Sequence, residues 1–217
     1  MTALIHTARP ASTSRNRHRI VTRESGLRAI QQPSVDLCVW RRDELSPFVG
    51  WFDRVAREGT LEIDELTSLE RLPVTRWLAS LPDDEGRAAL ADDIVGRAKS
   101  YGALFGHDRG RVQLHIVRHQ HCPRFHVDNV GVRLICTWAG PATQWLPERS
   151  LDRASLRTCA SGVVPARPGH TFETLDRFDV ALMKGCAWKG NARFGLAHRS
   201  PMVTTQPRLV LTIDGKR

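Results

Sequence analysis

The sequence predicts an α+β protein in which N-terminal helices buttress an antiparallel double sheet. Three observations lead there. Apolar residues recur at helical spacing before Gly106, the period changes to two after it, and prolines punctuate the links between the later segments. With 217 residues the chain is long enough to bury one sizeable core.

The elements follow in order. Residues 1–30 are polar and aperiodic and hold six Arg against one Glu, which predicts a disordered basic leader. Val35–Trp40 is a short apolar strand. Ser46-Pro47 reads as an N-cap followed by proline at the first helical position. Phe48, Trp51, Phe52 and Val55 then form one helical face. A second helix is expected over Val74–Ser80. A third starts near Asp83–Glu85 and carries Leu90, Ile94, Ala98 and Tyr101 on one side, ending at Gly102 and Gly106. Residues 31–106 are therefore read as mainly helical, and 107–217 as the sheet core.

In Arg111–His119, Val112, Leu114 and Ile116 alternate with Gln113, His115 and Val117. Further strands are expected at Val130–Trp138, Phe178–Met183, Arg193–His198 and Arg208–Ile213, with weaker ones near Thr143–Leu146 and His170–Leu175. On the last strand Arg208, Val210 and Thr212 face one way, and Leu209, Leu211 and Ile213 the other.

Composition narrows the function classes. No stretch reaches the roughly 20 apolar residues of a membrane helix, and Met1–Ile20 lacks the apolar run of a secretory signal. Five scattered cysteines without a CxxC pair exclude a zinc ribbon and point to reduced thiols in a cytoplasm. The net charge of +9 is concentrated in the leader. Such a tail can touch nucleic acid or anionic lipid. No DNA-reading helix or aromatic RNA platform is visible, so neither nucleic acid nor a membrane is the expected partner.

The chemistry-bearing pattern is His126-Val127-Asp128, followed 72 residues later by His198 and then by Arg208. Residues two apart on an extended strand point the same way, so His126 and Asp128 can grip one cation together. Two imidazoles and one carboxylate cover one face of an octahedral ion and leave three positions open, as in non-haem Fe(II) sites. Arg208, on a buried strand face, asks for an anion, which a dicarboxylate or an internal acid would supply.

Each of these residues also has a plainer role open to it. His126 can simply hydrogen-bond, Asp128 can cap the turn at Asn129, and His198 can sit at the surface. His119 and His121 share a strand face and, with Cys122, offer zinc donors. Alternatively His119 points inward beside the triad. Arg124 and Arg133 lie near the metal segment, where they can attract an acidic substrate or pair with Asp176 or Asp179. Trp138, Trp145 and Trp188 fall near the predicted mouth and can wall a substrate pocket or pack in a core.

Gln113–Asp128 (QLHIVRHQHCPRFHVD) resembles the strand–turn–HxD segment of the prolyl-4-hydroxylase-like Fe(II)/2-oxoglutarate dioxygenases. Phe178–Gly185 (FDVALMKG) resembles their strand before the distal histidine, and the segment from His198 (HRSPMVTTQPRLVLTID) their terminal stretch. The likeness covers about residues 111–214. It implies a double-stranded β-helix (jelly-roll or cupin-like barrel) behind the helices, with Fe(II) held by His126, Asp128 and His198. It also implies that Arg208 binds 2-oxoglutarate, with His119 and Thr212 as further co-substrate contacts. The substrate, small molecule or protein, is left open.

The chain departs from that pattern in three places. His119 stands where those enzymes usually have a tyrosine, the arginine is followed by Leu209 and Val210 rather than by a serine two residues on, and Pro141–Trp145 replaces a Gly-Gly-x-Thr segment. The whole length is also similar to an uncharacterised bacterial family with CPRFHVD-like and GLAHRSP-like segments. Its association with zinc-handling genes makes zinc the alternative ion and a non-catalytic metal protein the alternative function. A nucleic-acid role through the leader is the third reading.

Overall fold

The computed structural model describes residues 17–158, 160–191, 194–203 and 205–216. In chain order these form β1 (His18–Val21), β2 (Leu37–Trp40), α1 (Val49–Glu58), β3 (Glu62–Ser68), α2 (Val74–Trp77) and α3 (Glu85–Phe105). Then come β4 (Arg109–Val117), β5 (Val132–Ala139), β6 (Gln144–Leu146), α4 (Arg153–Leu156), β7 (Glu173–Thr174), β8 (Val180–Lys184), β9 (Ala197–Arg199) and β10 (Arg208–Lys216). Seven strands make one sheet in the order β1-β2-β8-β5-β10-β4-β3, and three make a second, β7-β6-β9. β1 and β2 run parallel, and the other neighbours are antiparallel.

Two apolar clusters set the layers. Leu114, Leu134, Trp138, Leu182, Leu209, Leu211 and Ile213 of the large sheet pack with Phe52, Val55, Leu90, Ile94 and Tyr101 of the helices. The opposite face contributes Leu37, Val39, Val117, Ile135, Met183 and Val210, which meet Trp145 and Leu196 from the small-sheet side. The period-two alternation of β10 thus sorts Leu209, Leu211 and Ile213 to the helices and turns Arg208, Val210 and Thr212 toward the small sheet. Within the helical layer, Asp93 of α3 accepts from Arg42 and from the indole of Trp138, tying helix to sheet.

α3 begins where expected, because the Asp84 side chain caps the Arg87 N–H, and it ends at the left-handed Gly106. Gly102 does not stop it: this residue stays inside the helix, and its carbonyl accepts from His107 N–H. Ser46 is not an N-cap either. It opens a 3-10 turn, Ser46–Phe48, ahead of α1 and makes no side-chain cap.

Two domain expectations need correction. Residues 17–30, read as part of a disordered leader, are folded: β1 pairs with β2, and a 3-10 helix over Glu24–Gln31 buries Leu27 and Ile30. The ion pair of Arg17 with the buried Asp36 anchors the start of this segment. The expected disorder of residues 1–16 lies outside the described residues. The span read as mainly helical also contains β3, an edge strand whose acidic residues (EIDELTS) hide the alternation. Among the described residues, no helix is long and apolar enough to cross a membrane.

Candidate metal centre

His126 lies in an isolated backbone bridge, not in a continuous strand. Its N–H donates to the His198 carbonyl at 3.0 Å, and the His198 N–H donates back to the His126 carbonyl at 2.9 Å. The flanking Phe125 and Val127 turn the other way, into an apolar cluster with Leu146, Leu151 and Ala197. That alternation leaves His126 and Asp128 on one side, facing the buried His198.

The three side chains converge. Ligand atoms from His126, Asp128 and His198 all lie within 4.8 Å of one another, and no other group of three His, Cys, Asp or Glu among the described residues does so. His126 Nε2 is 3.4 Å from Asp128 Oδ1, and His198 Nε2 is 3.3 Å from Asp128 Oδ2. Each ring is oriented from behind: His126 Nδ1 meets the Arg124 carbonyl at 3.0 Å and His198 Nδ1 the Leu196 carbonyl at 3.1 Å. A carbonyl only accepts, so Nδ1 donates in both rings; Nε2 then donates to the Asp128 carboxylate when the ring is protonated and offers a lone pair for a cation when it is neutral. This is the tautomer and the backing that a metal-ligating histidine needs.

Burial pushes the Asp128 carboxyl toward higher pKa. Hydrogen bonds from the two imidazoles and the nearby Arg133 guanidinium overcome that and hold it well below the usual carboxylate range. The His126 imidazole is shifted up, chiefly by its contact with Asp128.

Two glycines let the loop behind Asp128 sit close to β8 and β9. A Cβ at Gly185 would stand 2.4 Å from the Val130 carbonyl oxygen and 2.5 Å from that of Asp128, which accepts from Cys186 N–H. Gly195 has φ +100°, and a Cβ there would meet Val127 at 2.5 Å. Gly185→Ala is expected to displace the Asp128 loop and to weaken Mn(II) binding about tenfold, as read by calorimetric titration.

A cavity of about 230 Å³ opens beside the triad, lined by His126 and His198 together with Gln113, His115, Ile135, Arg208, Val210 and Thr212 among others. Arg208 is buried at its inner side. Nη1 donates to Ser200 Oγ at 2.6 Å and Nη2 to Thr143 Oγ1 at 3.3 Å, while the buried Nε has no partner among the described residues. Among the described residues no carboxylate pairs with it, and burial lowers its pKa to about 10. Ser200 and Thr143 were not singled out from the sequence. Both are ordinary hydroxyls with no motif to mark them; Thr143 lies 65 residues from Arg208, and Ser200, eight residues before it, sits across the turn that precedes β10.

The remaining expected site residues are distributed differently. Thr212 lines the cavity and donates to Gln113 Oε1. His119 is exposed and outside the cavity, because β4 ends at Val117. The β4 side chains that reach inward are Gln113, His115 and Val117. His119, His121 and Cys122 do not gather into a second cation site. Arg124 is exposed and contributes its carbonyl. Arg133 lines the cavity but pairs with Asp128 and Asp214, not with Asp176 or Asp179.

None of the three tryptophans walls this cavity. Trp138 points to the helical layer and donates to Asp93, because its register on β5 matches Leu134 and Cys136. Trp145 packs between the sheets against His18. Trp188 lies over Lys184 and beside Phe105.

Among solved structures the chain is similar to a dioxygenase for auxin oxidation from rice, at 11% identity and a TM-score of 0.46, covering 82% of this chain and 72% of that one. It is also similar to a Pseudomonas putida prolyl-4-hydroxylase (8%, TM-score 0.44, 89% and 98%). A third likeness is to the C-terminally truncated Neurospora crassa T7H in apo form (10%, TM-score 0.42, 89% and 86%). No curated protein matches the sequence. A family model described as "Protein of unknown function (DUF1826)" matches residues 22–214, nearly all of the chain, and the protein belongs to that family.

Proposed function

We propose that the protein is an Fe(II)- and 2-oxoglutarate-dependent oxygenase built on a double-stranded β-helix. One observation carries the reading: a single small cavity is lined by both histidines of a convergent His-Asp-His set and by a buried guanidinium that has no counter-charge among the described residues. The donor set suits a metal that needs open positions. The guanidinium suits a carboxylate, since an uncompensated buried charge is otherwise costly. A cavity of about 230 Å³ falls below the roughly 300–1,000 Å³ of drug-sized ligands, in keeping with a small dicarboxylate. The two sheets with Val117, Ile135, Val210 and Trp145 between them support the barrel assignment. The described cysteines are free thiols, which favours a reducing compartment such as the cytoplasm.

His126, Asp128 and His198 would hold the ion. Arg208, steadied by Ser200 and Thr143, would bind the distal carboxylate of the co-substrate and orient its keto-acid end toward the metal. Val117, Ile135 and Val210 provide an apolar wall that limits water. The chemistry that Fe(II) supplies when bound is the coupling of keto-acid decarboxylation by O₂ to oxidation of a substrate C–H bond.

The test pairs binding with turnover. The parent protein loaded with Mn(II) is expected to bind 2-oxoglutarate in a calorimeter, and with Fe(II) and O₂ to form succinate. Arg208→Met should keep the metal and lose about 100-fold in 2-oxoglutarate affinity, near 3 kcal/mol. It should not lower the melting temperature of the metal-free protein, because it removes an unpaired buried charge. Metal binding without 2-oxoglutarate binding or succinate would leave a metal-binding protein without this activity. Equal affinity in the variant would remove Arg208 from the site.

A further inference from the structure

Arg133 joins two carboxylates that reach it from different parts of the chain. Its Nη1 donates to Asp128 Oδ2 at 2.8 Å, while Nε and Nη2 hold Oδ1 and Oδ2 of Asp214 at 2.8 and 2.5 Å. Arg133 on β5 and Asp214 on β10 are partners in the strand ladder, so the two-point fork is built on rigid backbone. The side chains of Arg133, Asp128 and Asp214 are 21%, 12% and 13% exposed, well shielded from water. With one edge of the guanidinium fixed on Asp214, the remaining arm points at a single oxygen of Asp128.

This arrangement bears on how Asp128 can meet a cation. The terminal torsion of an aspartate is broad, so an untethered carboxylate can present either oxygen or both. Both oxygens face an imidazole, Oδ1 that of His126 at 3.4 Å and Oδ2 that of His198 at 3.3 Å, but only Oδ2 also carries the Arg133 hydrogen bond, which leaves Oδ1 the less encumbered of the two. Arg133 lines the same cavity as Arg208, yet the two cations differ in kind. Arg208 has hydroxyl partners and, among the described residues, no acid. Arg133 spends both edges on internal carboxylates and has no edge left for a substrate.

Building on the metal-site reading above, we propose that Arg133 is a positioning residue that restricts Asp128 to one-oxygen ligation. It thereby keeps a coordination position free for the incoming keto acid. Lysine is a poor replacement, because a point charge cannot hold a two-point grip on Asp214 and reach Asp128 in the same plane. One strand, β10, then governs both halves of the site, with Arg208 near its start and Asp214 near its end.

The experiment uses full-length protein saturated with Mn(II), with 2-oxoglutarate binding measured by calorimetry in the parent, Arg133→Gln, Arg133→Lys and Asp214→Asn. Arg133→Gln is expected to bind 2-oxoglutarate about tenfold more weakly at full metal occupancy, with Arg133→Lys and Asp214→Asn shifted the same way by less. A role confined to folding would lower the melting temperature and leave this affinity unchanged. Should Arg133→Gln not fold, Asp214→Asn decides the matter, since it loosens the anchor and keeps the arginine. Parent-like 2-oxoglutarate affinity in metal-saturated Asp214→Asn and Arg133→Lys would overturn the proposal. Undiminished Mn(II) binding by a His126→Ala control, or no 2-oxoglutarate binding by the parent, would instead overturn the metal-site reading on which it rests.

Discussion

Alanine at His126, Asp128 or His198 is expected to reduce bound metal to background. The three side chains supply every ligand atom of the convergent group, so losing one leaves two donors for the ion. The loss of affinity should exceed the roughly 10–100-fold that follows removal of an outer partner of a metal ligand. Secondary structure should persist, because the main chains of residues 126 and 198 are joined by hydrogen bonds that no side chain provides. Elemental analysis after gel filtration, with circular dichroism of the same samples, tests both halves. Parent-level metal in any of the three would remove that residue from the ligand set.

Asp93→Ala is expected to cost about 3–5 kcal/mol of stability, the penalty for leaving buried charge without its partner. The Asp93 carboxylate accepts from both arms of Arg42 at 2.6 Å and from Trp138 Nε1 at 2.9 Å, and Arg97 approaches it at 3.2 Å. The Arg42 side chain is only 4% exposed, so water cannot replace the lost acid. For a chain of this size the melting temperature should fall by about 10 °C, with a urea midpoint lowered to match. A melting temperature within about 2 °C of the parent would show that the network is not coupled to the core. The candidate metal site lies on the other face of the large sheet, so Mn(II) affinity of the folded variant should not change.

The parts of this fold that were legible in the sequence are those set by short-range periodicity. The alternation of β4 and β10 assigned Leu209, Leu211 and Ile213 to one face and Arg208, Val210 and Thr212 to the other, and the His126–Asp128 spacing put two donors on one side. What failed depended on partners distant in sequence. Trp138 was left open between a pocket wall and a core position, because nothing near it reveals Asp93, 45 residues away. Arg133 was offered Asp176 or Asp179, while its partner Asp214 lies 81 residues on. The arginine-rich start obscured Leu27 and Ile30, whose burial needs the α3 and β2 surfaces to be in place. His119 was placed inward by continuing a period of two beyond the end of the strand at Val117.

The reciprocal main-chain pairing of residues 126 and 198 also separates assembly from loading. In small zinc modules the cation itself draws the polypeptide together, and chelation unfolds them. Here a peptide-to-peptide bridge and the flanking apolar side chains already hold the two imidazoles together, so the candidate donor set does not depend on a cation for its assembly. Loading it with ions of different size and stripping them again is therefore expected to be a reversible exchange on a standing scaffold.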